Sequence, residues 1–301
     1  MRFALILTLA SLAFSQQPDL EILPVQGNIY MLSGAGGNIA IQTGPTGILL
    51  VDAGNAESAD KVLTAVRKLS TRPLRYLVNT NVRLDRTGGN ETMAKAGSFS
   101  GVRNIRGTPG ESLTQMVQIL AHDNVMQRMA AGDPKLPEIA QPTETWVGLQ
   151  KDLFYNGESI AMIHQPNAVT DGDSLVYFRK SDVIVAGDIL NMNGYPAIDL
   201  AKGGNVQGVI AGLNRLLELA IPAHHEEGGT YIIPGRGRIC DQFDVTEYRD
   251  MVTIIRDRIQ SAIKQGKTLD QTKALRLTRD YDPRFGSSDV FVEAVYKSLK
   301  K

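Results

Sequence analysis

The chain has 301 residues, 43% hydrophobic and 21% charged, enough to bury a sizeable core as one large domain or two small ones. Thirty-two Lys plus Arg balance 32 Asp plus Glu, so no net field draws nucleic acid or an anionic membrane, and a basic polyphosphate binder is excluded. The single cysteine, Cys240, excludes an intramolecular disulfide, and without a neighbouring His it reads as a structural thiol.

Arg2, the apolar run at residues 3–12 and the small-x-small stretch Ala13-Phe14-Ser15 have the order of a signal peptide, residues 1–15, cleaved near Ser15. The run is far shorter than the roughly 20 residues a membrane span needs, and no Cys follows it to carry a lipid. An exported protein, periplasmic or secreted and without a membrane anchor, is expected.

Residues 20–51 then read as strands, at Ile22-Leu23, Ile29-Tyr30-Met31-Leu32, Ile39-Ala40-Ile41 and Ile48-Leu49-Leu50-Val51, separated by Gly and Pro turns. Gly34-Ala35-Gly36-Gly37 is expected as a hairpin turn rather than a phosphate loop, because a strand alternation follows it and not a helix. A helix capped by Asn55 or Ser58 buries Val62, Leu63, Val66 and Leu69; the strand Leu74-Arg75-Tyr76-Leu77-Val78 comes next, and a second helix opens near Gly89. Residues 101–114 read as a surface loop or insertion, and the wider stretch 98–114 would offer any protein partner a docking loop.

Ile119-Leu120-Ala121 leads into a helix over residues 124–131, and Pro134, Pro137 and Pro142 predict a stiff linker. Strands are expected at 152–155, 159–164, 175–178, 183–185 and 231–233, with a helix over 206–219 and long amphipathic helices at the end. Pattern alone gives α/β or α+β, with two sheets face to face and helices outside. Of the four histidines, His122 is expected as a capping or surface residue, His164 faces away from Val169 on its strand, and His224-His225 lie in a solvated turn.

Thr80-Asn81-Val82-Arg83-Leu84-Asp85-Arg86-Thr87-Gly88-Gly89-Asn90 resembles the metal loop of the metallo-β-lactamase superfamily, Thr-His-x-His-x-Asp-His-x-Gly-Gly-Asn, with all three histidines replaced. Gly37-Asn38, the stretch from Gly44 to Gly54, Thr170-Asp171-Gly172-Asp173, Ala186-Gly187-Asp188 and Ile233-Pro234-Gly235-Arg236-Gly237 are similar to further anchors of that family, across nearly the whole mature chain. The resemblance implies an α+β, four-layer αββα sandwich over residues 20–301 with a C-terminal helical extension.

It also implies two zinc sites, which the residues do not supply. Carried over position by position, the first site becomes Asn81, Arg83 and Val169, and the second becomes Asp85, Arg86 and Arg236, with Asp188 between them. Val has no lone pair, Asn is a poor zinc ligand, and Arg stays protonated and repels a cation. With Asp52 nearby, Arg83, Arg86 and Arg236 are expected to pair with Asp52, Asp85 and Asp188 and so replace the charge of the ions. The expectation is a pseudoenzyme without a cofactor, holding a small anionic molecule in an Arg/Asp-lined pocket with Tyr195 and Asp199 at its mouth. The alternative is a hydrolase of an ester, thioester or lactam using one weakly held Mg²⁺ or Mn²⁺ at Asp85 and Asp188.

Overall fold

The computed structural model describes residues 20–97, 117–225 and 228–300; the expected signal peptide and the 98–114 stretch lie outside them. Four short apolar runs split by tight turns become an antiparallel meander of β1 (Glu21–Gln26), β2 (Ile29–Ser33), β3 (Ile39–Gly44) and β4 (Gly47–Val51). The Gly34-to-Gly37 stretch joins β2 to β3, with φ of +94° at Gly34 and +86° at Gly36, conformations that cost glycine nothing. Strands β5 (Leu74–Val78), β6 (Gln118–His122) and β7 (Glu144–Trp146) then add in parallel, so the seven-stranded sheet keeps chain order from β1 to β7.

The second sheet has five strands, β8 (Gln150–Tyr155), β9 (Glu158–His164), β10 (Ser174–Phe178), β11 (Val183–Asn191) and β12 (Tyr231–Arg236), in the order β12-β11-β10-β9-β8. Only β11 and β12 pair in parallel, because α5 (Val206–Leu219) makes the crossover between them. On the first sheet lie α1 (Ala59–Leu69), entered through a turn that Asn55 caps, and α3 (Asn90–Ala96). The short α2 (Leu84–Thr87) follows β5, and α4 (Asp123–Ala130) follows β6. The chain closes with α6 (Gln242–Lys264), α7 (Leu269–Ala274), α8 (Asp282–Phe285) and α9 (Asp289–Leu299).

Side-chain alternation sorts the core into three layers. Ala40, Leu49, Val51, Val78, Ile160, Met162, Val176 and Ile233 meet between the sheets. Ile39, Ile41, Leu50 and Leu77 point the other way, onto Val62 and Val66 of α1 and Met93 of α3. Leu175, Ile184, Ala186 and Ile232 pack on Leu213 of α5, Tyr248 and Ile255 of α6 and Val295 of α9. Each of the Val, Leu, Ile and Met side chains contributes about 1.5–3 kcal/mol on burial, and together the layers specify an α+β, αββα sandwich.

Three local readings need correction. The 134–142 linker holds a short 3₁₀ turn at Glu138–Ala140 and delivers β7, a strand too short for alternation to reveal. Strand β11 continues past Val185 to Asn191, because Gly187 at φ +54° bends it without ending the pairing with β12. The terminal region mixes the 23-residue α6 with two helices of six and four residues, so its helices are not uniformly long. Cys240 is buried and its thiol donates to Arg238 O; burial pushes that thiol up to about 12, which keeps it inert. No helix among the described residues is long and apolar enough to cross a membrane.

Candidate functional site

Charged residues gather where strand ends from both sheets meet. Asp52 leaves β4 at φ +67°, and its amide donates to Val78 O at 2.7 Å, tying the ends of β4 and β5 together. Asn79, Thr80 and Asn81 leave β5, Ser174 N donates to Thr80 O across the sheets at 2.9 Å, and Asp188 and Arg236 come from β11 and β12. The short helix α2 turns Arg86 inward, while Arg83 stands just before it.

Arg86 is the hub. Its side chain has no exposed surface, and Nη2 donates to Asp188 Oδ1 and to Gly235 O at 3.0 Å. Nη1 donates to Asn38 O at 3.2 Å and lies 3.7 Å from Asp52 Oδ2. Nε is buried without a hydrogen bond. A Cβ at Gly37 would overlap Nη1 and one at Gly235 would come within 2.7 Å of Nη2, so both glycines leave room for the guanidinium.

An outer layer lies over this hub. Arg83 Nε faces Asp85 Oδ1 at 3.3 Å and Asp188 Oδ2 at 3.4 Å, and its Nη1 donates to Ala197 O at 3.2 Å. Arg236 Nη2 donates to the other oxygen of Asp85 at 2.6 Å. Asp85 is thus held between two arginines, both partly open to solvent. Asn81 lies beneath, donating from Nδ2 to Asp173 Oδ1 at 3.1 Å and to Asp188 Oδ2 at 3.0 Å while its Oδ1 accepts from Arg83 N.

The charges are unequal in strength. Burial would raise Asp188, but the Arg86 charge and hydrogen bond, with Arg83 and Asn81, carry it well below the usual carboxylate range. Burial likewise works against Arg86, yet Asp188 and Asp52 hold it firmly protonated. Asp52 and Asp173 go the other way: burial pushes each up to about 7, despite Arg86 beside Asp52 and the Thr170 amide on Asp173. Two carboxyls therefore titrate near neutrality beside an ion pair that does not.

The structure brings Asn81, Arg83, Asp85, Arg86, Asp188, Arg236 and Asp52 into one network. Val169 is fully buried among the apolar side chains under α5, and its carbonyl accepts from Asp199 N at 2.9 Å. The placement of Tyr195 at a mouth is corrected. Its ring stacks on Phe291 and its hydroxyl donates to Asp282 at 2.8 Å, so it belongs to the packing under the last helices. Asp199 is half-exposed, and its carboxylate accepts from Ala201 N and Lys202 N of its own loop. Cavities of about 390 Å³ beside Leu63 and Arg72 and about 360 Å³ between Lys273 and Val292 are lined by none of these residues.

Sequence reading passed over Asn38, Thr80 and Asp173 as members. Asn38 Nδ2 clamps Pro234 O and Gly237 O, both at 2.9 Å, and Thr80 gives Asp52 its amide and hydroxyl. All three stood inside resemblance anchors, which was the available signal.

The donor set does not fit zinc. Asn81 presents its N–H groups to the carboxylates, Val169 offers nothing, and the lone pairs of Asp85 and Asp188 are engaged by guanidinium groups. Among the described residues no group of three or more His, Cys, Asp or Glu is arranged to hold a metal ion.

No family model matches the chain, and no curated protein matches it. Solved structures do. A metallo-β-lactamase from Pontibacter korlensis superposes with a TM-score of 0.59 at 14% identity, over 78% of this chain and 99% of that one. The stereoselective inverting sec-alkylsulfatase Pisa1 from Pseudomonas sp. superposes at 0.68 and 14% identity, over 92% of this chain and 50% of that one, so this chain spans about half the sulfatase's length. The fold is that of the metallo-β-lactamases.

Proposed function

We propose that this chain is an exported, metal-free variant of the metallo-β-lactamase fold that binds a small anion at the Arg83–Arg236 rim instead of hydrolysing a substrate. The observation that carries the metal-free part is Arg86, a fully buried cation that donates to Asp188 and lies beside Asp52. A second cation in that volume would meet strong repulsion.

The rim supports the anion part. Arg83 Nη2 and Arg236 Nη1 and Nε make no hydrogen bond among the described residues, and each arginine keeps part of its side chain in solvent. Guanidinium groups with spare donors suit a carboxylate, sulfate or phosphate group. Export rests on residues 1–15 of the sequence alone. The hydrolase alternative, with a divalent ion on Asp85 and Asp188, would first have to break both carboxylates away from their arginines.

The test has two arms on the mature protein. Elemental analysis after dialysis against micromolar zinc and manganese should give far less than one equivalent of either. Calorimetry with phosphate, sulfate, acetate, succinate and citrate should give heat from at least one, weakened in Arg236→Ala. A tightly held equivalent of metal sinks the first part, and silence from every anion sinks the second.

A further inference from the structure

Beside the arginine network, two histidines join the sheets. His122 ends β6 in the first sheet and His164 ends β9 in the second, and their rings stack with centroids 3.5 Å apart and planes within 12°. Both are more than nine-tenths buried, so His122 is no surface residue, although it does cap α4 as the sequence suggested. Trp146, the only tryptophan, meets His122 edge-on with centroids 5.8 Å apart.

Hydrogen bonds fix the protonation of both rings. His122 Nδ1 accepts from Asn124 N at 3.3 Å, so its proton is on Nε2, which is buried facing the Gly148 backbone without a hydrogen bond of standard geometry. His164 Nε2 lies 2.8 Å from Asp171 O and must donate to it. A proton added to His122 Nδ1 would set donor against donor at the start of α4 and place a cation on the face of its neighbour. Burial already lowers both histidines, and His164 lowers His122 further.

Asp123 and Asp171 favour the imidazolium, but less than burial disfavours it. Asp123 on α4 is held by Thr145 Oγ1 at 3.3 Å, and the Asp171 carboxylate is held by Arg128 Nε and Nη2 at 2.8 and 2.7 Å. On β7, Glu144 is paired with Lys151 at 2.6 Å, and β10 brings uncharged Ser174 opposite His164. Among the described residues no bare carboxylate receives an imidazolium.

The held segment leads to the arginine network. Asp171 O accepts from His164 Nε2 and from Asn124 Nδ2, both at 2.8 Å, and two residues later Asp173 accepts from Asn81. We propose that the His122–His164 stack is an acid-released latch: protonation unstacks the rings, frees residues 170–173 from the β6–α4 corner and loosens Asp173 from Asn81. The latch goes beyond the anion reading and stands without it.

Trp146 emission and hydrogen exchange at residues 165–173, corrected for intrinsic rates, test the latch between about pH 7.5 and 4.5. The wild type should show a reversible emission step with its midpoint below about 6.5, the ordinary histidine value, and about tenfold faster exchange at the acid end. His122→Phe keeps a flat ring but cannot titrate, so both changes should disappear. A step that persists in His122→Phe, or unchanged exchange in wild type that remains folded by circular dichroism, overturns the proposal. Should the variant not fold, ring-proton NMR of wild type decides: two histidines titrating independently near about 6.5 overturn it, and depressed, coupled titrations uphold it.

Discussion

Arg86 donates to Asp188 where strand ends of the two sheets meet, with the cation wholly buried and the carboxylate nearly so. This pair joins α2 to β11, and through Gly235 O and Asn38 O the same guanidinium reaches β12 and the β2–β3 turn. One side chain thus holds together four segments that come from both sheets. The cluster is a structural keystone as well as a candidate site.

Replacing Arg86 by Met should therefore cost about 3–5 kcal/mol, because Asp188 and Asp52 would be left buried without their cation. Adding Asp188→Asn should recover part of that loss, since the uncompensated charge goes with it. Urea unfolding of the four proteins in the cycle measures the coupling. Strict additivity would mean that the pair is incidental.

Asp52 and Asp173 predict an unusual pH profile. Burial raises each to about 7 from 3.8, so the native state holds its protons more tightly than the unfolded chain. Stability from these groups is full below about pH 4 and declines as pH rises towards about 7, by up to about 1.4 kcal/mol per pH unit for each carboxyl. Asp188 has the opposite sign: lowered in the fold, it stabilises above about pH 4 and loses this in acid. The lowered histidines also make stability rise with pH towards about 6.5, so the comparison with Asp173→Asn carries the test. That variant should flatten the decline; an unchanged slope in denaturation midpoints between about pH 5 and 7 would rule Asp173 out as its source.

Much of this fold was legible because its strands are short apolar runs and its turns carry Gly at positive φ, as at Gly34 and Gly36. The edge strand β7 was not, since three residues are too few to show a period. At the site, the Arg and Asp residues and their pairing as a set could be named from position in the chain, whereas their backbone partners could not. The Arg86 contacts with Asn38 O and Gly235 O are to backbone, which no side-chain pattern encodes. Tyr195 was misplaced for a related reason: its side chain packs towards the last helices, and only long-range contacts such as Tyr195 with Asp282 reveal it.

At the rim, Arg236→Ala should weaken anion binding by about tenfold or more while changing stability by no more than about 1 kcal/mol, because exposed ion pairs contribute little. Binding should also weaken as pH rises through about 7, where Asp52 and Asp173 gain negative charge beside the arginines. Calorimetry at about pH 6 and 8 reads both effects. Affinity that ignores Arg236 and pH alike would place the anion elsewhere.

The sharpest test of the metal argument is to reverse the substitutions. If the backbone still has the geometry of the fold, histidines at Asn81, Arg83, Arg86, Val169 and Arg236 should rebuild a zinc site around Asp85 and Asp188. Removing three arginines leaves those carboxylates unpaired, so the five-fold variant should be unstable without metal and gain markedly in thermal stability with micromolar zinc. Arg86→His alone should bind no zinc, because Arg83 and Arg236 would still occupy Asp85 and repel the ion. Elemental analysis should find one to two equivalents, about the number two adjoining sites can hold, in the five-fold variant only. A folded five-fold variant that takes up no zinc would mean that the strand ends have moved away from a ligating arrangement. The arginines would then be part of a rebuilt site and not simple occupants of an old one.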